Sequence, residues 1–152
     1  MNIKIYLILI LIPTLFPCTI SFSKDRYIYS KNNIIPLSIK NHKIIAEIAD
    51  NDQSRATGLM FRKKINSNQG MLFKYESSKI HCMWMKDTMI PLSVAFINNN
   101  HKIIEIHQMK PLDETPHCSS HPSKYALEMR SGWFNKKKIK PGHKVSGIKD
   151  GG

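Results

Sequence analysis

The sequence predicts a mainly β fold: a compact antiparallel β-sandwich or barrel-like sheet with one or two short helices. Three observations carry that prediction. Apolar-rich runs of five to seven residues recur between turn residues from Ile34 to Ile148. Two stretches, Asp52–Phe61 and Gly132–Lys138, read as helical, and both are brief. No internal repeat and no low-complexity tract breaks the pattern.

Taken in order, Ile34–Ile39 and Lys43–Ala49 read as two strands around Lys40-Asn41-His42. The period then changes. Asp52–Phe61 predicts a short helix, with Asp52 placed to cap its N-terminus and Gly58 to weaken or end it. Arg62–Gln69 is a polar loop, Gly70–Tyr75 a strand, and Glu76-Ser77-Ser78 a turn. Ile80–Met85 is the next strand, with Cys82 and Trp84 on one face and His81, Met83 and Met85 on the other. Asp87–Pro91 is a loop and Leu92–Ile97 a buried strand. Asn98-Asn99-Asn100 turns into its hairpin partner, Lys102–His107. Lys110–Pro122 is a long proline-containing loop, Lys124–Arg130 a strand, and Pro141-Gly142 leads to the last strand, Lys144–Ile148.

With 152 residues, the chain suits one domain, expected over residues 34–150 after a polar linker at 24–33. Residues 1–23 have the pattern of a secretory signal: Lys4, a 12-residue apolar core from Ile5 to Phe16, and Ser21-Phe22-Ser23 before a cut. That core is short for ~30 Å of hydrocarbon, and Pro13 and Pro17 interrupt it. A periplasmic or secreted location follows as an expectation. Removing residues 1–23 takes one cation and no acid, so the net charge of +12 becomes +11. Such a surface suits an anionic membrane or cell-wall partner, or is simply a solvated lysine-rich face. Nucleic acid is not an expected partner: no zinc finger, helix-turn-helix or RNA-binding aromatic motif is present.

Export would leave two cysteines, Cys82 and Cys118, in an oxidising compartment, where a disulfide is the default and free thiols the alternative. His81-Cys82 and His117-Cys118 repeat one dipeptide, which raises zinc. Adjacent strand residues point to opposite faces, however, so one ion is hard to share. No metal and no cofactor is expected on these grounds. A copper reading rests on His81, Met83 and Met85 and on His107-Gln108-Met109; core packing of thioethers is the plainer account.

The candidate binding residues are Arg55, Trp84, Lys86, Asp87, Thr88, Asp113 and Glu114. Lys86-Asp87-Thr88 sits at a strand end, with Trp84 as a flat apolar platform, although a polar turn explains the same residues. Asp113 and Glu114 lie in a proline-bounded loop. Arg55 either pairs with an acid, binds an anion or is a surface arginine. No G-x-S-x-G elbow, glycine-rich phosphate loop or H-E-x-x-H helix is present, which counts against the common hydrolase and nucleotide-enzyme classes.

Arg55-Ala56-Thr57-Gly58-Leu59-Met60-Phe61-Arg62, Gly70-Met71-Leu72-Phe73 and Trp84-Met85-Lys86-Asp87-Thr88 with Ile90-Pro91-Leu92 resemble the ordered motifs of domain-of-unknown-function family 192. The resemblance runs from about Ile44 to Gly147 and implies an exported protein with a compact, mainly β fold. It implies no chemistry. Asp87 stands where the family usually has asparagine, and an ionised aspartate accepts hydrogen bonds without donating them. The leading functional expectation is a monomeric envelope domain that binds a small or polymeric ligand without catalysis. One alternative is a hydrolase of envelope carbohydrate or peptide using Asp87 with Asp113 or Glu128. The other is the copper-handling protein.

Overall fold

Nine strands and two short helices account for the regular structure of the computed structural model, which describes residues 33–149. The proposed signal segment, and all of the proposed linker except Asn33, lie outside the described residues. Ile34–Ile39 (β1) and His42–Ala49 (β2) pair antiparallel across a tight turn in which Lys40 takes a left-handed conformation.

The helix Asp52–Thr57 (α1) is shorter than the sequence suggests, and its cap is Asn51, not Asp52. Asn51 is in extended geometry, so its Oδ1 can accept from the Ser54 N–H at 2.8 Å, while the Asn51 N–H donates back to Ser54 Oγ at 3.2 Å. Asp52 is already inside the helix and reaches Arg55 instead. Gly58 follows the last turn at φ 47°.

Gln69–Lys79 (β3) runs through Glu76-Ser77-Ser78, where a turn was expected. Ile80–Met85 contributes only Cys82–Met83 (β4) as strand. Leu92–Ile97 (β5) is buried along its whole length and pairs with Ile103–Met109 (β6). The expected long loop at 110–122 contains a short strand, His117–Cys118 (β7), and Ser123–Arg130 (β8), Trp133–Lys136 (α2) and Val145–Ser146 (β9) complete the chain.

The main sheet has the order β6-β5-β8-β3-β2-β1-β9. Every neighbouring pair is antiparallel except one. Ile45–Ala49 of β2 runs parallel to Gln69–Phe73 of β3, the one parallel pair in a mainly antiparallel sheet. The connection through α1 carries the chain back to its starting end, the crossover that a parallel pair requires. The sheet curls into a half-barrel. Its terminal strands meet at one corner, where Lys102 bridges Lys144 and the Val145 N–H donates to the His101 carbonyl at 2.8 Å.

Alternation along the central strands feeds two cores. Tyr125, Leu127 and Met129 of β8 face one, with Leu72, Ile97, Trp133 and Phe134. The other holds Met71, Phe73, Val94, Phe96 and Ala126. Covering that second face are Met83, Met85, Leu59 and Ile90, which come from loops and from a two-stranded sheet of β4 and β7. Cys82 and Cys118 are register partners in this small sheet and form a disulfide. Both faces of the central strands are therefore dry, and a polar side chain on either is held in a low-dielectric setting.

Candidate functional site

The loops that follow α1 and β4 and the loop before β7 meet around residues 85–88. The Phe61 N–H donates to the Asp87 carbonyl at 2.9 Å, the Leu112 N–H to the Thr88 carbonyl at 3.0 Å, and the Met85 N–H to the Asp113 carbonyl at 2.9 Å. Thr88 Oγ1 turns back to the Lys86 carbonyl at 3.0 Å and is almost fully buried. Asp87 sits at φ 51°, in the left-handed region. Asparagine and aspartate are the non-glycine residues that tolerate this region best. The backbone conformation at this position therefore suits the family asparagine and the aspartate found here alike.

Beneath these loops is a narrow cavity of about 20 Å³, room for one water or one small polar group. Arg55, Thr57 and Gly58 from the end of α1 line it, with Trp84, Thr88 and, from β8, Glu128. Glu128 is 3% exposed. On β8 it lies between Leu127 and Met129 and faces the second core, opposite Met71 on one side and Val94 on the other. Burial pushes its carboxyl up to about 8, with the Arg62 charge holding it partly back. Among the described residues none donates a hydrogen bond to it. At neutral pH it is a protonated acid that can donate one hydrogen bond and accept others.

Neighbouring groups are held firmly. Arg62 makes a forked pair with Glu47 at 2.5 and 2.6 Å. Arg55 donates to the Lys74 carbonyl at 2.9 Å and lies 5.9 Å from the Tyr75 ring centre. The Tyr75 hydroxyl donates to Met83 Sδ at 3.2 Å, and its ring stacks on His81 at 3.5 Å. Burial first, and the Glu128 charge second, push the Tyr75 phenol above its ordinary range. Burial likewise lowers the His81 imidazole. His81, Met83 and Met85, the residues of the copper reading, are thus engaged in stacking, a sulfur hydrogen bond and core packing. Among the described residues, no three His, Cys, Asp or Glu side chains are grouped to hold a metal ion.

Of the seven residues singled out from the sequence, Arg55, Trp84 and Thr88 line the cavity. Trp84 remains 47% exposed, with Lys86 Nζ 5.6 Å from the centre of its ring. Asp87 contributes its carbonyl to the loop junction. Asp113 caps its own loop: the side chain and N–H of Thr115 hold its carboxyl below the ordinary carboxylate range. Glu114 is exposed. Neither Asp87, Asp113 nor Glu114 lines the cavity, and Glu128 is the one acid among the described residues that do.

Sequence reasoning placed Glu128 only as a possible partner of Asp87. The pattern Tyr125-Ala126-Leu127-Glu128-Met129 puts Tyr125, Leu127 and Met129 on one face, and Glu128 then reads as a solvated residue. The available signal was Ala126 beside it on the same face, in a strand whose neighbours are apolar on both faces.

No curated protein matches the chain. Solved structures resemble it, among them the following two. A protein of unknown function from Novosphingobium aromaticivorans DSM 12444 is 30% identical, with 74% of this chain and 84% of that chain covered and a TM-score of 0.70. A protein from Sinorhizobium meliloti 1021, provisionally described as a transcription regulator, is also 30% identical, with 75% and 92% covered and a TM-score of 0.71. The family described as DUF192, Uncharacterized ACR, matches residues 35–147 and so spans the sheet, the disulfide and every residue that lines the cavity. The chain belongs to domain-of-unknown-function family 192.

Proposed function

We propose that this protein is an exported, non-catalytic binding domain that recognises a hydroxyl-bearing ligand, either a small molecule or the end of an envelope polymer. One observation carries the reading: the buried Glu128 carboxyl, which burial pushes toward its neutral form, lines a cavity that the half-exposed Trp84 lines too. A single ligand hydroxyl inserted there meets an acid that both donates and accepts. The remainder of the ligand lies on the Trp84 ring, as the apolar face of a sugar does. The cavity admits one small group and offers one acid, so it suits recognition better than two-carboxylate hydrolysis. Export is supported by the signal-like pattern of residues 1–23 and is compatible with the Cys82–Cys118 disulfide.

The test is a calorimetric titration of the disulfide-bonded protein with chito-oligosaccharides and soluble cell-wall glycan fragments. The expected result is a saturable change that Trp84→Ala and Glu128→Leu each weaken by about tenfold or more, while Glu128→Gln, whose amide also donates and accepts, retains most of the binding. If no glycan binds, or if Trp84→Ala and Glu128→Leu bind as the unaltered protein does, the reading is wrong. Recovery of the protein in the envelope fraction with Lys24 as its first residue tests export.

A further inference from the structure

The segment that brings Thr88 into the cavity continues through Met89, Ile90 and Pro91 into the wall of a second and larger groove, of about 430 Å³. The same groove is also lined by cations. Lys63 and Lys64 come from the loop before β3, and Arg130 from the end of β8. No acid lines this groove among the described residues. Nor does any of these three cations have an ion pair or side-chain hydrogen bond among them. The contrast with Arg62 is informative. That side chain, one residue before Lys63, is fully engaged by Glu47, so this surface does pair its cations elsewhere.

Three like charges around one cavity repel one another, and an anion between them relieves the repulsion. The guanidinium of Arg130 offers a planar fork suited to two oxygens, and the lysines supply point charges. Asn66 and Ser67 add neutral polar groups on the same wall. Met89, 51% exposed, continues into Ile90 and Pro91, an apolar strip in the same lining that an anion alone would not use. The volume matches a site for a small organic ligand.

We propose that this groove binds a phosphate-type oxyanion carried on a molecule with an apolar portion, the phosphate between Lys63, Lys64 and Arg130 and the apolar part on Met89 and Pro91. It is a separate site from the Glu128 cavity and stands or falls independently of it. The shared chemistry, a phosphoryl group, has two sources: a soluble phosphate ester or a phospholipid headgroup.

The experiment uses the full mature protein with its disulfide intact. One arm titrates glycerol phosphate at low and physiological ionic strength. The other measures co-sedimentation with phosphatidylglycerol vesicles against phosphatidylcholine vesicles. Lys63→Gln/Lys64→Gln and Arg130→Gln are compared with Lys79→Gln/Lys124→Gln, which removes the same charge as the double variant at the opposite end of β3 and β8. The groove variants should weaken binding by about tenfold, with the control within about twofold of the unaltered protein. Thermal melts confirm that each variant is folded. Groove-dependent binding of glycerol phosphate identifies a soluble ester as sufficient. Groove-dependent binding of vesicles alone identifies the headgroup. Absence of binding to both probes, or equal loss in groove and control variants, overturns the proposal.

Discussion

Replacing Glu128 with glutamine removes the one buried acid on the second core while keeping its shape. The unfolded carboxyl gives up its proton near 4.5, and the folded one holds it to about 8. Between those values the unfolded state releases a proton that the native state keeps, so stability falls as pH rises. The contribution is fully present below about pH 4.5 and lost progressively up to about pH 8. From pH 4.5 to 7 it amounts to about 2.5 pKa units at ~1.36 kcal/mol each, or ~3 kcal/mol. At 3% exposure, solvent screens little of this. Glutamine does not titrate, so the variant lacks that slope. Other groups tilt the curve the opposite way. The hydrogen bonds from His107 and Ser120 outweigh burial and hold the Glu105 carboxyl low, and Thr115 does so for Asp113. The assay must therefore be a difference. Urea unfolding of the two proteins at pH 4.5, 6 and 7 should show the original chain losing ~3 kcal/mol relative to Glu128→Gln across that range. Parallel stability curves for the two proteins would refute the buried, protonated Glu128 and with it the chemistry assigned to the cavity.

Arg62→Gln removes the cation that restrains the Glu128 shift and leaves the partly buried Glu47 without its forked partner. The Glu128 midpoint should rise further, readable by carbon NMR of the labelled carboxyl, and stability should fall by ~1–3 kcal/mol. Breaking the Cys82–Cys118 link, whose cysteines are 36 residues apart, with paired serine substitutions should cost ~4 kcal/mol by loop-closure entropy, seen as a lower urea midpoint. Gly70→Ala places a methyl group against the Glu128 carbonyl and Met129 Sδ. The carbonyl belongs to a paired strand and cannot withdraw, so a loss of about 3 kcal/mol is expected in thermal unfolding, with a near-unchanged melt arguing that β3 and β8 separate easily. Trp84→Ala removes a half-exposed ring and should change stability by less than about 1 kcal/mol while weakening the proposed glycan binding by about tenfold or more.

Much of the strand pattern was legible because it is local. Leu92–Ile97 is apolar at nearly every position, and a strand buried on both faces needs that composition. Cys82 and Trp84 pointing out, with Met83 and Met85 inward, follows from the two-residue period alone. Misreadings fall where a nonlocal partner decides. Glu76-Ser77-Ser78 has turn composition, yet β3 continues through it, with a shift of register between Lys74 and Lys79, to pair Lys79 with Ser123 of β8. His117–Cys118 carries no strand signal of its own and is ordered by pairing with Cys82–Met83.

The site divides the same way. The motif residues Arg55, Trp84 and Thr88 were picked from the sequence as polar or aromatic groups at element ends, and the fold brings them to one cavity. The burial of Glu128 and the groove of Lys63, Lys64 and Arg130 were not visible, because each depends on what covers a face or which distant loop lies beside it. The mainly β class and most of the strands could be read linearly, since side-chain period and turn residues are local properties of the chain, and the pairing of Cys82 with Cys118 could be expected from it. That β2 and β3 run parallel, that the sheet curls, that His117–Cys118 forms a strand and that one glutamate is shut away from water could not. Those outcomes depend on energies of contact and desolvation between residues far apart along the chain.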